Sequence, residues 1–120
     1  MTNKVNVLGT DYTVEVHKVS EDKSLKDNHW SGYCNGITKK IVVADLTEDE
    51  FFDFENDKER ELTRQEILRH EITHAFLNES GLQDSSLQYS CAWARNEEMI
   101  DWFALQAPKL FVAYQTVGAI

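Results

Sequence analysis

The stretch that decides the fold of this chain is residues 63–81, which read TRQEILRHEITHAFLNESG. Thr63 and Glu66 have the spacing of a capping box, in which two side chains satisfy free backbone N–H groups at the start of a helix. Gly81 follows the last periodic residue, where a helix commonly needs a left-handed residue to end. The stretch therefore predicts a helix over about residues 64–79.

The segment His70-Glu71-Ile72-Thr73-His74 in the middle of this helix has the HExxH arrangement. Residues four apart share a helix face about 6 Å apart, close enough for His70 and His74 to bind one Zn²⁺ ion. Glu71 can then reach a water on the metal and take its proton as a general base. About one chain in a hundred of this composition contains two histidines and a glutamate at this spacing by chance, anywhere in its sequence. The motif therefore needs support from the rest of the sequence.

A third metal ligand is expected on a second predicted helix, about residues 90–113, in which Pro108 is expected to cause a kink or a break. Glu97 is the predicted ligand. Asp101, four residues on, is predicted to accept the free ring N–H of a ligand histidine. Glu98, one position round the helix, is the alternative ligand, and surface ion pairs are the other role open to both glutamates.

The two motifs, HEITH at residues 70–74 and NEEMID at residues 96–101, together resemble the gluzincin pattern of two histidines and a distal glutamate. The order of elements and the Phe103-Ala104 pair resemble the ImmA/IrrE group and the compact minigluzincin-type peptidases, which are often encoded on phages or other mobile elements. The chain departs from that group at Ile100-Asp101-Trp102, where Ala-Asn or Ala-Asp usually precedes Phe-Ala.

The resemblance implies a zinc-dependent endopeptidase that hydrolyses a peptide bond through a zinc-bound water activated by Glu71. The substrate is then a peptide or protein whose extended chain pairs with the edge strand of the sheet, expected at Ile41–Ala44. Tyr89 is similar in position to the tyrosine of larger gluzincins and is our predicted catalytic oxyanion donor. Tyr114 is the second candidate for that donor.

Short apolar alternations before the motif helix predict strands. One strand is expected over about residues 11–19, after a turn at Gly9. Tyr33-Cys34 and Ile41–Ala44 flank an Asn-Gly turn, which predicts a hairpin. Residues 20–29 are expected to form a loop or a short helix opened by Ser20. The predicted fold is α+β, a small antiparallel β-sheet packed against the HExxH helix and the glutamate-bearing helix.

Residues 45–61 hold nine acidic side chains around three phenylalanines, Phe51, Phe52 and Phe54. Thr47 and Glu50 have capping-box spacing, so part of this stretch is expected to form a short helix that docks its phenylalanines on the core. A solvated acidic face is the favoured interpretation, and an acidic rim for basic substrates or a calcium site are the alternatives.

Composition limits the class of protein. A chain of 120 residues, 42% of them hydrophobic, predicts one folded domain over residues 1–120. A net charge of -9 argues against nucleic acid as a partner, and no apolar run approaches the roughly 18 residues needed to cross a bilayer. No signal segment is recognisable at the start, which predicts a cytoplasmic protein with Cys34 and Cys91 as free thiols. The oligomeric state is left open.

Two rival functions are consistent with the same residues. A non-catalytic, zinc-stabilised acidic protein-binding module would use the metal to stabilise a small fold. A metal-free interaction protein would leave two inward imidazoles without a purpose. Glu71 argues against the first function, because a purely structural zinc needs no carboxylate beside it.

Overall fold

The computed structural model describes residues 3–85 and 92–120. Its elements in chain order are β1 (Lys4–Val7), β2 (Thr10–His17), a short 3₁₀ helix (Val19–Glu21), α1 (Lys23–Asn28), β3 (Gly32–Asn35), β4 (Lys40–Ala44), α2 (Asp57–Glu79), α3 (Leu82–Ser85), a second 3₁₀ helix (Trp93–Arg95) and α4 (Glu97–Thr116). Helices and a sheet occur in one fold, so the predicted α+β class is confirmed.

The sheet is mixed, which corrects the prediction of an antiparallel one. The strand order is β1-β2-β4-β3. The β1–β2 and β3–β4 pairs are antiparallel hairpins, but β2 and β4 run parallel. The parallel pair arises because α1 carries the chain across from β2 to β3, and the second hairpin then returns β4 alongside β2.

The identity of the edge strand is a second correction. Ile41–Ala44 was expected at the edge, but β4 lies between β2 and β3. All four of these apolar residues are buried. A continuous apolar run is typical of a strand covered on both faces, so this position agrees with the composition of β4. The strand at the edge beside α2 is β3.

Helix α2 begins earlier than predicted because Asn56 caps it. The Asn56 side chain accepts a hydrogen bond from the Glu59 N–H at 2.8 Å. Thr63, the predicted cap, lies inside the helix, where its hydroxyl donates to the Glu59 carbonyl. The predicted end is confirmed, since Gly81 follows α2 with a φ of 81°.

Two other predicted helix starts are wrong. Asp22 caps α1 by accepting from the Leu25 N–H, whereas Ser20 donates its hydroxyl to the Glu48 carboxylate. Thr47 opens no helix, because its N–H and hydroxyl both donate to the Asp45 side chain in a turn.

Helix α4 begins at a cap formed by Asn96, whose side chain accepts from the Met99 N–H. Pro108 lies inside α4 without dividing it. Residues 90 and 91, the start of the predicted second helix, lie outside the described residues. No helix in the described ranges is long and apolar enough to span a membrane.

The core lies mainly between the sheet and α2. Val7, Tyr12, Ile41 and Ala75 form one buried cluster there. A second cluster is built on Val19, Leu25, Val42, Ala44 and Leu46. Phe52 and Phe54 pack against this second cluster, as predicted, while Phe51 is exposed. A third cluster, of Leu77, Ala94 and Ile100, holds the start of α4 against the end of α2.

Candidate metal centre

Helix α2 presents His70, Glu71 and His74 together at the face that packs towards β3 and α4. One ligand atom from each lies within 4.8 Å of the other two, a spacing at which the three can hold a metal ion. The i, i+4 spacing accounts for the two imidazoles, whose ring centroids are 4.9 Å apart. The structure therefore brings together the three predicted site residues that lie on α2.

Glu97, in the first turn of α4, lies beside both imidazoles. Its Oε2 lies 3.1 Å from His70 Nε2 and its Oε1 lies 3.3 Å from His74 Nε2. Glu98, the alternative ligand, is exposed and does not line the cleft that contains these groups. The packing of Ile100 and Ala94 against Leu77 fixes which side of α4 faces α2, and this side carries Glu97.

The three side chains fit a tetrahedral metal. Bonds of about 2.0 to 2.1 Å at tetrahedral angles place neighbouring ligand atoms about 3.3 Å apart. The two Nε2 atoms lie 3.2 Å apart, and each has a Glu97 oxygen at 3.1 or 3.3 Å. Two imidazole nitrogens and one carboxylate are a donor set that zinc takes in sites with an open fourth position. The residues present therefore fit Zn²⁺.

Asp101 orients one of the imidazoles. His70 Nδ1 lies 2.7 Å from Asp101 Oδ1. A carboxylate only accepts, so Nδ1 carries the hydrogen and donates it, and Nε2 keeps its lone pair directed at the cluster. Burial lowers the pKa of His74, which favours the neutral imidazole that a metal requires.

Glu71 is the most enclosed polar group of the cluster. The residue is 5% exposed, and its Oε2 has no hydrogen-bond partner among the described residues. Burial, and next the negative charges of Glu97 and Asp101, raise the pKa of Glu71 to about 8. A cation bound among these carboxylates would offset their repulsion and lower that pKa again.

Gly32 lets β3 approach α2 beside Glu71. A Cβ at Gly32 would lie 2.9 Å from the Val42 carbonyl oxygen, 3.0 Å from Ile67 Cγ2 and 3.3 Å from Glu71 Cγ. Only glycine fits this approach without a shift of its neighbours. Sequence reasoning did not identify Gly32, although a glycine inside a strand is a known sign of close approach.

The cluster opens into a cleft of about 820 Å³. One wall is β3, and α2 forms the floor, with the start of α4 on the far side. No described strand pairs with the outer edge of β3. The backbone groups of that edge therefore lie beside the metal-binding residues.

Four aromatic residues line the cleft, Trp30, Tyr33, Phe52 and Phe54, and we call them the aromatic wall. The rings of Trp30 and Tyr33 lie 6.3 Å apart, and those of Phe52 and Phe54 stack at 6.4 Å. The sequence indicated that the phenylalanines dock on the core, but it did not place them at the site. They lie in a turn segment without helical or strand periodicity, so no pattern in the sequence indicated that they face the cleft.

Hydrogen bonds behind the wall hold Tyr33 in place. The Tyr33 hydroxyl donates to Asp22 Oδ2 at 2.8 Å, and the same oxygen lies 2.7 Å from His17 Nδ1. His17 Nε2 lies 2.8 Å from Glu15 Oε1. The hydrogen bond to Asp22, and next that to Glu15, raise the pKa of His17. His17 thus supports the aromatic wall through Asp22.

The predicted oxyanion donors are not part of the described site. Tyr89 lies outside the described residues. Tyr114 follows Asp101 by thirteen positions on α4, roughly 20 Å along the helix axis, and does not line the cleft. Cys34 is a free thiol, as predicted, and it lines the cleft on β3, whereas Cys91 falls outside the described residues.

Comparisons of this chain with protein families, with curated proteins and with solved structures found no match.

Proposed function

We propose that this chain is a cytoplasmic zinc metallopeptidase, an endopeptidase acting on a peptide or protein. The observation that carries the proposal is the carboxylate of Glu97 against Nε2 of both His70 and His74, with Glu71 buried beside them. Two histidines and a glutamate are the ligands of one class of catalytic zinc site. A structural zinc is normally closed by four protein ligands, and the described residues supply three.

Each residue of the site has a separate role in the proposed amide hydrolysis. His70, His74 and Glu97 would hold the zinc ion, which when bound would supply a Lewis acid for the scissile carbonyl and make a water more acidic. Glu71 would take the proton of the attacking water and return it to the leaving nitrogen, which gives a carboxylic acid and an amine. These products separate at neutral pH as a carboxylate and an ammonium group. Asp101 holds the His70 ring in the orientation that binds metal. Tyr89 stays the predicted donor to the developing oxyanion.

The outer edge of β3, which pairs with no strand in the described residues, supports an extended substrate. A peptide that adds as a fifth strand would hydrogen-bond to the backbone of Gly32–Asn35 and pass along the cleft beside Glu71. Strand addition is favourable here because the edge groups gain partners without a change of fold.

The aromatic wall supports a preference for a large apolar side chain near the scissile bond. Trp30 is 48% exposed at the cleft, and Phe52 and Phe54 are half-buried there. An apolar side chain placed against these rings would leave water at a gain of about 1.5 to 3 kcal/mol. The chain's net charge of -9 further favours substrates with basic flanks, by long-range attraction.

The test is cleavage of a peptide library by the zinc-loaded protein, read by mass spectrometry. Glu71→Gln is expected to retain zinc by elemental analysis and to lose about 100-fold or more in kcat. Glu66→Gln is the matched control, because Glu66 lines the same cleft outside the metal cluster. Full activity of Glu71→Gln would mean that Glu71 is not the general base.

The alternative is a non-catalytic, zinc-stabilised acidic protein-binding module, which the net charge of -9 favours. It predicts that zinc removal unfolds the chain and that no library peptide is cut. Zinc-dependent folding without any cleavage would therefore select this alternative.

A further inference from the structure

The later part of α4 and the four residues after it have the composition of a buried helix but are exposed. Residues 102–120 contain one charged side chain, Lys109. Eight large apolar side chains in that range are between 39% and 78% exposed: Trp102, Phe103, Leu105, Phe111, Val112, Tyr114, Val117 and Ile120. A helix that is apolar on all sides is normally enclosed by other elements.

One stripe of this segment has the spacing of a helix-pairing seam. Phe103, Ala107, Leu110, Tyr114 and Val117 follow one another at intervals of four, three, four and three. This is the a/d spacing of two heptads, which keeps apolar side chains facing a partner helix over about 21 Å. We call these five residues the α4 seam.

The α4 seam continues into a groove at its N-terminal end. Phe103 and Ala107 line an apolar groove of about 390 Å³ with Phe76 of α2 and Trp93 of the second 3₁₀ helix. Phe76 and Trp93 are 41% and 57% exposed. A helix lying along the α4 seam would therefore cover these two rings as well.

The exposed apolar area on the seam side of the helix is large enough for a dimer. With about 3.6 residues per turn, Leu105 and Val112 lie on the opposite side of α4 from the seam and do not count towards this area. Phe103, Tyr114 and Val117 of the seam and the two groove rings, Phe76 and Trp93, are between 39% and 78% exposed and together leave on the order of 500 Å². A biological interface buries about 1,000 Å² or more from both partners together. Two copies therefore supply the area that a dimer needs.

We propose that the α4 seam pairs with the α4 seam of a second copy of this chain, in an antiparallel arrangement about a two-fold axis. A seam of like residues is complementary to itself under that symmetry. The acidic residues of α4, Glu97, Glu98 and Asp101, all lie at its start. If the helices cross near Leu110, each acidic start lies about 14 Å or more from the crossing and on opposite sides of it. That separation exceeds the Debye length of about 8 Å, so these three acidic residues do not prevent pairing.

A membrane surface fits this segment less well than a second copy. Lys109 is its one basic residue, and the chain carries a net charge of -9. Helices that lie on anionic membranes combine an apolar face with several basic residues. The proposed pairing also leaves Glu97 and the cleft outside the interface.

Sedimentation equilibrium of the full chain tests the proposal. The expected mass is twice the 13.9 kDa of one chain. Tyr114→Glu places a charge in the α4 seam and is expected to weaken the dimer at least about tenfold. Gln115→Glu adds the same charge on another side of the helix and is expected to leave the dimer intact. Both positions are exposed in the single chain, so circular dichroism should show the same helix content in all three proteins.

Three outcomes would overturn the proposal. One is a wild-type chain that stays monomeric at the highest concentration at which it remains dissolved. Another is a dimer that Tyr114→Glu weakens no more than Gln115→Glu does. The third is a monomer that floats with vesicles of phosphatidylcholine and phosphatidylglycerol, which would assign the α4 seam to a membrane instead.

Discussion

His70 Nδ1 lies 2.7 Å from Asp101 Oδ1, so an imidazole in the middle of α2 is held by a carboxylate one turn into α4. The contact does more than join two helices. It fixes which ring nitrogen carries the hydrogen, and so leaves Nε2 as the electron-pair donor beside Glu97.

Asp101→Asn is therefore expected to weaken zinc binding about 10- to 100-fold, because an amide can offer its N–H group to the ring and stabilise the wrong tautomer. Competition with a chromophoric chelator measures the affinity. Glu98→Gln is the control, since Glu98 lies on the same turn of α4 but not at the cleft. Equal affinities for Asp101→Asn and the wild type would remove the orienting role.

Trp30→Ala is expected to raise KM about tenfold for peptides with a large apolar side chain, and to change KM little for peptides with alanine in its place. The KM rises because Trp30 forms part of the aromatic wall that would contact the apolar side chain. The substitution should cost little stability, since Trp30 is 48% exposed. Ile37→Ala is the control, because Ile37 is 91% exposed on the β3–β4 turn. A uniform change for both peptide series would contradict the subsite.

Gly32→Ala is expected to destabilise the fold by about 1 to 3 kcal/mol, since its Cβ would meet the Val42 carbonyl and the branched side chain of Ile67. Urea unfolding measures the loss. Gly36→Ala is the comparison, because its Cβ would meet the Asn78 side chain at 2.7 Å and that side chain can turn away. A loss below about 1 kcal/mol is expected there. Equal losses of unfolding free energy for the two variants would show that the neighbours of Gly32 can move to accept a Cβ.

The motif helix could be predicted because its signals are local. Periodicity and Gly81 lie within one continuous stretch, and α2 ends where that stretch indicated. Its start was missed because Asn56 offers a cap before Thr63, and the helix extends to the first cap that the chain can use. Capping patterns give possible starts, and tertiary packing selects among them.

The parts that depend on distant contacts were predicted less well. Helix-face geometry alone left Glu97 and Glu98 as alternatives, and the packing of Ile100 against α2 decides which one meets the imidazoles. The strand order has the same origin. We predicted β4 as the edge strand, although its continuous apolar run is typical of a strand buried on both faces. The parallel β2–β4 pairing depends on α1 crossing the sheet, which no local pattern records.

The pH dependence of stability is expected to report the His17 network. The pKa of His17 is raised above 6.5, so its stabilising contribution is full below that pH and is lost as the pH rises through the folded-state value. Hydrogen bonds from His17 help hold the pKa of Asp22 below 3.8 and that of Glu15 below 4.5, although burial of Asp22 opposes this. Their contributions are lost as the pH falls through those lowered values.

His17→Gln is accordingly expected to cost on the order of 1 kcal/mol between about pH 4.5 and pH 6.5, and less at pH 9. Urea unfolding of both proteins across this range measures the difference. A cost that stays constant from pH 5 to pH 9 would mean that the imidazole acts by packing rather than by its charge.

Cys34 is expected to be reachable but unreactive. It lines the cleft, yet burial, and next the charge of Glu71, raise the pKa of its thiol to about 12. Alkylation requires the thiolate, whose fraction at neutral pH is about a thousandfold lower than for an ordinary thiol. In a Cys91→Ser variant, iodoacetamide should therefore modify Cys34 at least about 100 times faster in urea than in the folded chain. Equal rates in the two states, followed by mass spectrometry, would show that neither burial nor Glu71 protects the thiol.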